Sequence, residues 1–119
     1  MDIELAREYC LSLPATTEDM PFGEDDLAIR VAGKIFAFFD LTRPFLMVLK
    51  CDPERAEELR DEYNGIEPAW HWNKKYWNQL YFDSDVTDAL FRTLIRHSYD
   101  EVIAKLPRKT REELQAISK

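Results

Sequence analysis

Three short apolar runs lie between residues 27 and 50, and two tight turns separate them. In the first run, residues 27–31, Leu27, Ile29 and Val31 alternate with Ala28 and Arg30. This two-residue period is typical of a half-buried β-strand. Residues 32–34 contain a glycine and residues 42–44 a proline, and both residue types favour turns. Connections this short join antiparallel neighbours, so residues 27–31, 35–39 and 45–50 are predicted to form a three-stranded antiparallel meander.

The middle run, residues 35–39, is apolar at each of its positions. Because side chains alternate across a strand, Phe36 and Phe38 are expected to share one face, and the odd-numbered residues of the run the other. A strand that is apolar on both faces is typical of the centre of a sheet.

Helical periodicity accounts for most of the remaining apolar residues. Asp52 and Pro53 are a cap and a first-turn residue that favour a helix start, and Gly65 is expected to end that helix in the left-handed conformation. Ser84 or Asp85 is expected to cap the longest helix. The predicted helices cover residues 2–13, 53–64, 86–106 and 110–117.

The elements follow one another in the order α-β-β-β-α-β-β-α-α, in which the later strands come from an extended run at residues 77–82 and a short piece before it. An α+β fold of two layers buries every apolar stripe, with an antiparallel sheet of about five strands and the helices packed on one face. A chain of 119 residues has room for one such core. We therefore predict a single domain, residues 1–119.

Charge is unevenly distributed along the chain, whose formal net charge is −7. Residues 1–69 hold 16 acidic and 7 basic side chains, a net charge of −9, whereas residues 70–119 hold 7 acidic and 9 basic side chains, a net charge of +2. An anionic partner is therefore expected to approach the C-terminal half. The acidity of the whole chain opposes nucleic acid at long range, so such binding requires clustered Lys or Arg.

No apolar run approaches the ~20 residues that a membrane-spanning helix needs. The amino terminus also lacks the basic and apolar regions of a signal peptide. The sequence therefore predicts a cytoplasmic protein with no membrane partner.

Catalytic and metal-binding patterns find little support in the sequence. Nothing places Cys51 or Ser98 against His71 as a nucleophile beside a base. The three glycines stand apart, so there is no Gly-rich phosphate loop, and no pair of cysteines or histidines has the spacing of zinc ligands. We therefore expect no enzymatic activity, no cofactor and no metal.

Residues 65–77 concentrate chemistry that the rest of the chain lacks: all three tryptophans, one of the two histidines and two adjacent lysines. Asn73 is expected to cap a single helical turn, and its side chain or that of His71 to hold the loop together. With Lys74 and Lys75 beside its outward N–H groups, such a turn predicts an anion site. Aromatic side chains among lysines also suit stacking on unpaired bases.

The tryptophans of this stretch are expected in different environments. Trp77 leads into a strand and is expected in the core. If the segment is extended, Trp70 and Trp72 share one face, which can be buried or exposed. Arg92 and Arg96, one turn apart on the polar face of the long helix, extend the basic surface if that helix packs beside the loop; solvated pairs with neighbouring aspartates are the ordinary interpretation.

The spacing Pro68-x-x-His71-x-Asn73-Lys74-x-x-Trp77 resembles that of the MmcQ/YjbR-like family. The similarity extends to Gly33, Arg43-Pro44 with the following strand, Asp52-Pro53-Glu54 and Ser98-Tyr99. It implies a small two-layer α/β fold similar to that of type III secretion chaperones, described in some cases as a double-wing nucleic-acid-binding shape. Trp72 departs from the family, where a smaller apolar residue is expected.

Three classes of function remain open. The leading hypothesis is a non-catalytic binding protein whose loop at residues 68–77 meets an anionic partner, with nucleic acid, DNA in particular, as the resemblance implies. The residues predicted to bind are Trp70, His71, Trp72, Asn73, Lys74, Lys75, Arg92 and Arg96. The alternative is a protein-interaction module of the secretion-chaperone type that uses the sheet face or an indole patch, and the third class is an undetected enzyme.

Overall fold

A computed structural model describes residues 1–118, which contain four helices and six strands. The helices are α1 (Ile3–Ser12), α2 (Pro53–Glu62), α3 (Asp88–Ala104) and α4 (Arg108–Ser118). The strands are β1 (Thr16–Asp19), β2 (Asp26–Val31), β3 (Lys34–Asp40), β4 (Leu46–Lys50), β5 (Ile66–Pro68) and β6 (Trp77–Tyr81). Within the described part of the chain, no helix has both the length and the apolar character that crossing a membrane requires.

The six strands form one antiparallel sheet in the order β1-β2-β3-β4-β6-β5, in which β2, β3 and β4 are the predicted meander. Helices α1 and α3 pack on one face of it. The two-layer α+β fold is confirmed, with one strand more than the expected five. That strand is β1, whose polar residues Thr-Thr-Glu-Asp gave no apolar signal and which joins the sheet through backbone pairing with β2.

A β-bulge in β3 changes the predicted faces of the middle strand. Arg30 of β2 pairs with Ile35, but the preceding residue of β2 pairs with Ala37, so Phe36 has no partner on that strand. The extra residue turns Phe36 into the core on the helix side together with Ala37, whereas Ile35 and Phe38 lie against the opposite face. The expectation that Phe36 and Phe38 share a face is therefore wrong, because a bulge shifts the alternation by one residue.

The main core lies between the sheet and the helices. Its large, fully buried side chains include Phe36, Phe39, Met47, Phe91 and Ile95. Ser98 of α3 is also fully buried; its hydroxyl donates to the carbonyl of Phe36 and accepts from the N–H of Lys50 at 2.9 Å. This one side chain therefore ties α3 to the bulge in β3 and to the end of β4.

The start of α3 and the end of α2 differ from the prediction. Thr87, not Ser84 or Asp85, caps α3, and its hydroxyl accepts from the N–H of Leu90 at 3.1 Å. The Asp85 carboxylate instead accepts from the N–H groups of Asn64 and Gly65, each at 2.8 Å, and these bonds lower the pKa of Asp85. The backbone at Gly65 does not enter the left-handed region, so the role predicted for that glycine is wrong.

A second, smaller apolar cluster covers the sheet face away from α1 and α3. Its buried members are Ala28, Phe38, Leu46, Val48 and Ala69. The half-buried residues Trp72, Trp77 and Tyr81 pack against it. The connection between β5 and β6 folds over this cluster and carries most of the residues predicted to bind.

Candidate functional site

Residues 69–76, between β5 and β6, form two successive turns rather than an extended segment. The first closes with a 3.0 Å bond from the N–H of Trp72 to the carbonyl three residues earlier. In the second, the carbonyl of Asn73 accepts from the N–H of Trp77 at 3.0 Å. The side-chain Oδ1 of Asn73 accepts from the N–H of Lys75 at 3.1 Å. Asn73 therefore caps this turn as the sequence predicts.

The turns send the three tryptophans in different directions. Trp70 projects into solvent and is 54% exposed. Trp72 packs on the sheet face, with its ring centroid 5.1 Å from that of Phe38 and 4.5 Å from that of Trp77. Trp70 and Trp72 thus do not share a face. Trp77 is half-buried in the smaller cluster, so the expectation that it fills the main core is wrong.

Arg60, in the last turn of α2, holds the second turn in place. Its Nε donates to Oδ1 of Asn78 at 2.6 Å, and its Nη2 donates to the carbonyl of Lys74. Asn78 is 2% exposed and donates to the carbonyl of Ala56 at 3.4 Å. The sequence does not indicate this link, because an arginine near the end of a helix is typical of a solvated position.

Four lysine ammonium groups lie over aromatic rings at this end of the sheet. The pairs, with the distance from Nζ to the ring centroid, are Lys74–Trp70 at 4.5 Å, Lys50–Trp77 at 6.0 Å, Lys75–Tyr76 at 5.5 Å and Lys105–Tyr76 at 4.8 Å. The face of an aromatic ring attracts a cation, which orients these long side chains. We call the four lysines and three rings the lysine–aromatic surface.

A groove of about 480 Å³ continues this surface, and we call it the lysine groove. The groove has no acidic lining residue, and its polar and aromatic side chains are Arg30, Lys34, Lys50, Lys105 and Trp77. Burial and the nearby charge of Lys105 lower the pKa of Lys50. Arg30 is paired with an aspartate of β1, but across residues 1–118 no lysine has a carboxylate within 4.0 Å. The lysines of the groove therefore have no carboxylate of the described chain in direct contact, and the charge of Glu101 acts on Lys50 from a longer distance.

His71 lies away from the lysines. It is exposed and lines a separate cavity of about 370 Å³ on the sheet face, whose walls include Phe22, Phe38 and Trp72. We call this space the sheet-face cavity. No side-chain hydrogen bond of His71 is present in the described chain, so Asn73, and not His71, holds the loop together.

Arg92 and Arg96 lie on the outer face of α3, where they line a different cavity. Arg96 forms the expected pair one turn along the helix, with Asp100 at 3.2 Å. Asp88, one turn before Arg92, pairs with the amino terminus instead. Arg92 precedes Lys105 by thirteen residues, roughly 20 Å along the helix axis. The structure therefore does not bring these arginines to the turn.

The buried titratable groups near α3 have structural surroundings. Nε2 of His97 accepts from the N–H of Asp52 at 3.1 Å, and burial together with the charge of Arg55 lowers the pKa of His97. Burial raises the pKa of the Cys51 thiol to about 11 and that of Cys10 to about 12. Both cysteines are free thiols that stay protonated at neutral pH.

The sequence does not indicate that Lys34, Lys50 and Lys105 belong to one site, because they are far apart in the chain. Lys50 even belongs to the half whose net charge is −9. A weak signal was present, since each lysine stands at the boundary of a predicted element. Element ends that meet at one edge of a sheet bring such residues together, but the meeting becomes visible only once the strand order is known.

Comparison with known proteins matches residues 11–101 to the family model YjbR. The chain is 32% identical to the uncharacterized Escherichia coli O157:H7 protein YbdF, over 94% of this chain and 93% of that one, and 28% identical to the uncharacterized protein YjbR of Escherichia coli K12, over 96% and 98%. The crystal structure of Deinococcus radiodurans protein DR2400, a DUF419 domain, superposes with a TM-score of 0.88 at 35% identity, covering 96% of this chain and 88% of that one.

A protein from Pseudomonas syringae shares the fold at 23% identity, with a TM-score of 0.73 over 85% of this chain and 98% of that one. The family model spans most of the chain, including the central turns and most of α3. The family expected from the spacing Pro68-x-x-His71-x-Asn73-Lys74-x-x-Trp77 is therefore confirmed, and the chain belongs to the YjbR family.

Proposed function

We propose that the protein binds nucleic acid through the lysine–aromatic surface, with unpaired strands as the preferred form. The observation that supports this proposal is the gathering of four lysines over three rings, with no carboxylate of the described chain paired to any of them. Phosphate groups supply the missing negative charge. The exposed indole of Trp70 offers a face on which an unpaired base can stack.

An extended anion fits this arrangement better than a single phosphate does. The positive groups include Lys74 on the turn, Lys75 and Lys105 over the ring of Tyr76, and the cations of the lysine groove, to which Lys105 also belongs. Because the groove draws on β2, β3, β4 and α3, its charges are spread over separate elements rather than collected at one point. The acidic remainder of the molecule repels phosphate elsewhere and restricts binding to this end.

The proposal is tested by two double variants that remove the same charge from different places. Lys75→Gln with Lys105→Gln neutralises the two cations beside Tyr76, whereas Arg92→Gln with Arg96→Gln neutralises two cations on the outer face of α3. Binding to a fluorescent oligothymidine is measured by anisotropy at low salt. The lysine variant is expected to lose about tenfold or more in affinity and the arginine variant about twofold or less, because only the first removes phosphate contacts.

Equal losses in the two variants would show that net charge alone governs binding, and would contradict a defined surface. The absence of saturable binding by the unaltered protein at low salt, where attraction is greatest, would overturn nucleic acid as the partner. A protein partner on the sheet face would then be the better hypothesis. A third variant, Trp70→Ala, is expected to weaken binding to the single strand more than binding to a duplex of the same length.

A further inference from the structure

The sheet-face cavity is distinct from the lysine groove and lies on the face of the sheet that α1 and α3 leave open. Its volume of about 370 Å³ suits a small molecule. The ring centroid of Phe38 lies 6.3 Å from that of Phe22 and 5.1 Å from that of Trp72, with ring planes inclined by 56° and 60°. These rings offer an apolar wall against which the hydrocarbon part of a ligand can pack.

Two carboxylates in the wall of the cavity favour a positively charged ligand. Asp26 of β2 and Asp40 of β3 are directly opposite one another in the ladder, and both line the cavity. Like charges at opposed positions destabilise an antiparallel pair. In the described chain no ion pair joins Lys, Arg or His to either carboxylate within 4.0 Å, and the carboxylate of Asp40 accepts from the N–H and hydroxyl of Thr42, at 3.0 and 2.6 Å. No cation contacts either carboxylate to offset this repulsion, and the two bonds from Thr42 offset part of it at Asp40.

Gln79 supplies a third acceptor in the wall of the cavity. Its side chain is buried, with 3% of the residue exposed, and its Nε2 donates to Glu67 and, at 3.4 Å, to the hydroxyl of Tyr81. Within residues 1–118 nothing donates to its Oε1. Because Nε2 is directed toward the neighbouring strand β5, Oε1 is the polar atom left for the cavity. Every buried side-chain N or O atom of the described chain has a partner, so Oε1 is open to the cavity and can accept from the N–H of a ligand there.

We propose that the sheet-face cavity binds a small primary ammonium compound. Its charged nitrogen is directed at Asp26, Asp40 and Oε1 of Gln79, and its apolar part lies against the three rings. A quaternary ammonium would leave these acceptors without donors. A metal ion fits less well, because no three His, Cys, Asp or Glu side chains of the described chain are placed to hold one.

Arg43 also lines the cavity, but it does not cancel the two carboxylates. Apart from His71, the lining carries two carboxylates and one guanidinium, a formal net charge of −1. Arg43 also acts on Tyr81. The hydrogen bond to Glu67 is the main cause of the raised pKa of Tyr81, and the charge of Arg43 lowers that pKa in part. In the described chain the guanidinium of Arg43 forms no ion pair within 4.0 Å of Asp26 or Asp40, so neither carboxylate is neutralised by direct contact.

Three probes of similar size and different charge test this proposal: 2-phenylethylammonium, 2-phenylethanol and 3-phenylpropionate. Each is titrated into the full chain while amide and indole N–H resonances are followed by NMR. The ammonium probe is expected to bind about tenfold more tightly than the alcohol, the worth of one charge-assisted hydrogen bond, and the carboxylate probe more weakly than either. The shifts should include the indole N–H of Trp72. Magnesium chloride at matched ionic strength should not displace the ammonium probe.

Matched variants locate the charge that the probe recognises. Asp26→Asn removes a carboxylate that has no partner in the described chain, and Asp25→Asn removes the adjacent carboxylate, which does not line the cavity. The first is expected to abolish most of the tenfold preference for the ammonium probe, and the second to change it about twofold or less. Phe22→Leu, at a residue that is 70% exposed, should weaken the ammonium probe severalfold without affecting folding.

Equal affinities for the three probes would overturn the proposal, as would equal behaviour of the Asp26→Asn and Asp25→Asn variants. Absence of saturable shifts at about 20 mM of the ammonium probe would also overturn it, since that limit corresponds to a binding free energy weaker than about −2.3 kcal/mol. Shifts confined to the lysine groove would place the ligand elsewhere and contradict the assignment. Nucleic-acid binding is independent of each of these results.

Discussion

Glycine is required at position 65 because there is no room for a side chain, and not because of its backbone conformation. A Cβ atom at this position would lie 2.2 Å from Oγ and 2.4 Å from Cβ of Ser84. Ser84 is itself held, because its hydroxyl donates to the carbonyl of Tyr81 at 2.7 Å and accepts from the N–H of Val86 at 3.2 Å. The sequence correctly placed the helix end near this glycine but could not show that a distant loop passes against it.

Replacing Gly65 by Ala is therefore expected to lower the free energy of unfolding by about 1–3 kcal/mol, the usual cost of forcing an extra carbon into a filled space. Urea unfolding measures it. Adding Ser84→Gly to Gly65→Ala removes both clashing atoms and should recover much of the loss. A change below about 0.5 kcal/mol in the single variant would show that the close approach is absent.

His97 makes stability depend on pH near neutrality. Its pKa in the folded protein is lower than the ordinary 6.5 because of burial and the charge of Arg55. Above pH 6.5 the ring is neutral in both states and its bond from Asp52 is intact. As the pH falls below 6.5 the unfolded chain takes up the proton first, so stability falls until the pH passes the lower folded pKa.

Urea midpoints at pH 7.5 and pH 5.5 should therefore show lower stability at the acidic pH. The carboxyl groups whose pKa is lowered, those of Glu18, Asp85 and Asp88, titrate below this window. His97→Gln keeps an acceptor for the N–H of Asp52 without a titratable ring and should flatten the difference. The same pH dependence in that variant would rule out His97 as its source.

At the scale of elements, α3 and the sheet depend on the Ser98 hydroxyl. Ser98→Ala would leave the carbonyl of Phe36 and the N–H of Lys50 without their partner in a dry interface, at a cost of about 2–3 kcal/mol. Thr93→Ala on the exposed side of the same helix also removes a bond to a carbonyl and should cost about 0.5 kcal/mol or less. Comparable losses in the two variants, measured by urea unfolding, would contradict this account of Ser98.

The elements that the sequence predicted well are those with a strong apolar period or a local cap. The meander and the start of α2 at Asp52 depend on neighbouring residues, and both are confirmed. The bulge at Phe36 and the true cap of α3 at Thr87 were not predictable in this way. The bulge depends on a serine 62 residues away, and the Asp85 carboxylate bonds to N–H groups 20 and 21 residues earlier instead of capping α3.

At the scale of the whole molecule, about half of the candidate site could be predicted from the sequence. Asn73, Lys74 and Lys75 are adjacent, and local rules were enough to predict their turn. The other lysines meet them only because β4 lies beside β6 and the end of α3 lies beside Tyr76. The division into an acidic and a basic half was therefore too coarse, since Lys50 from the acidic half completes the positive groove.

The central claim is that phosphates contact a defined set of lysines, and the salt dependence of binding tests it most directly. The slope of log affinity against log salt for a single strand is expected near −3 for the unaltered protein, from roughly four contacts. It should flatten by about 1.4 in the Lys75→Gln, Lys105→Gln variant and stay unchanged in the Arg92→Gln, Arg96→Gln variant. A slope near zero in the unaltered protein, or equal flattening in both variants, would contradict the claim.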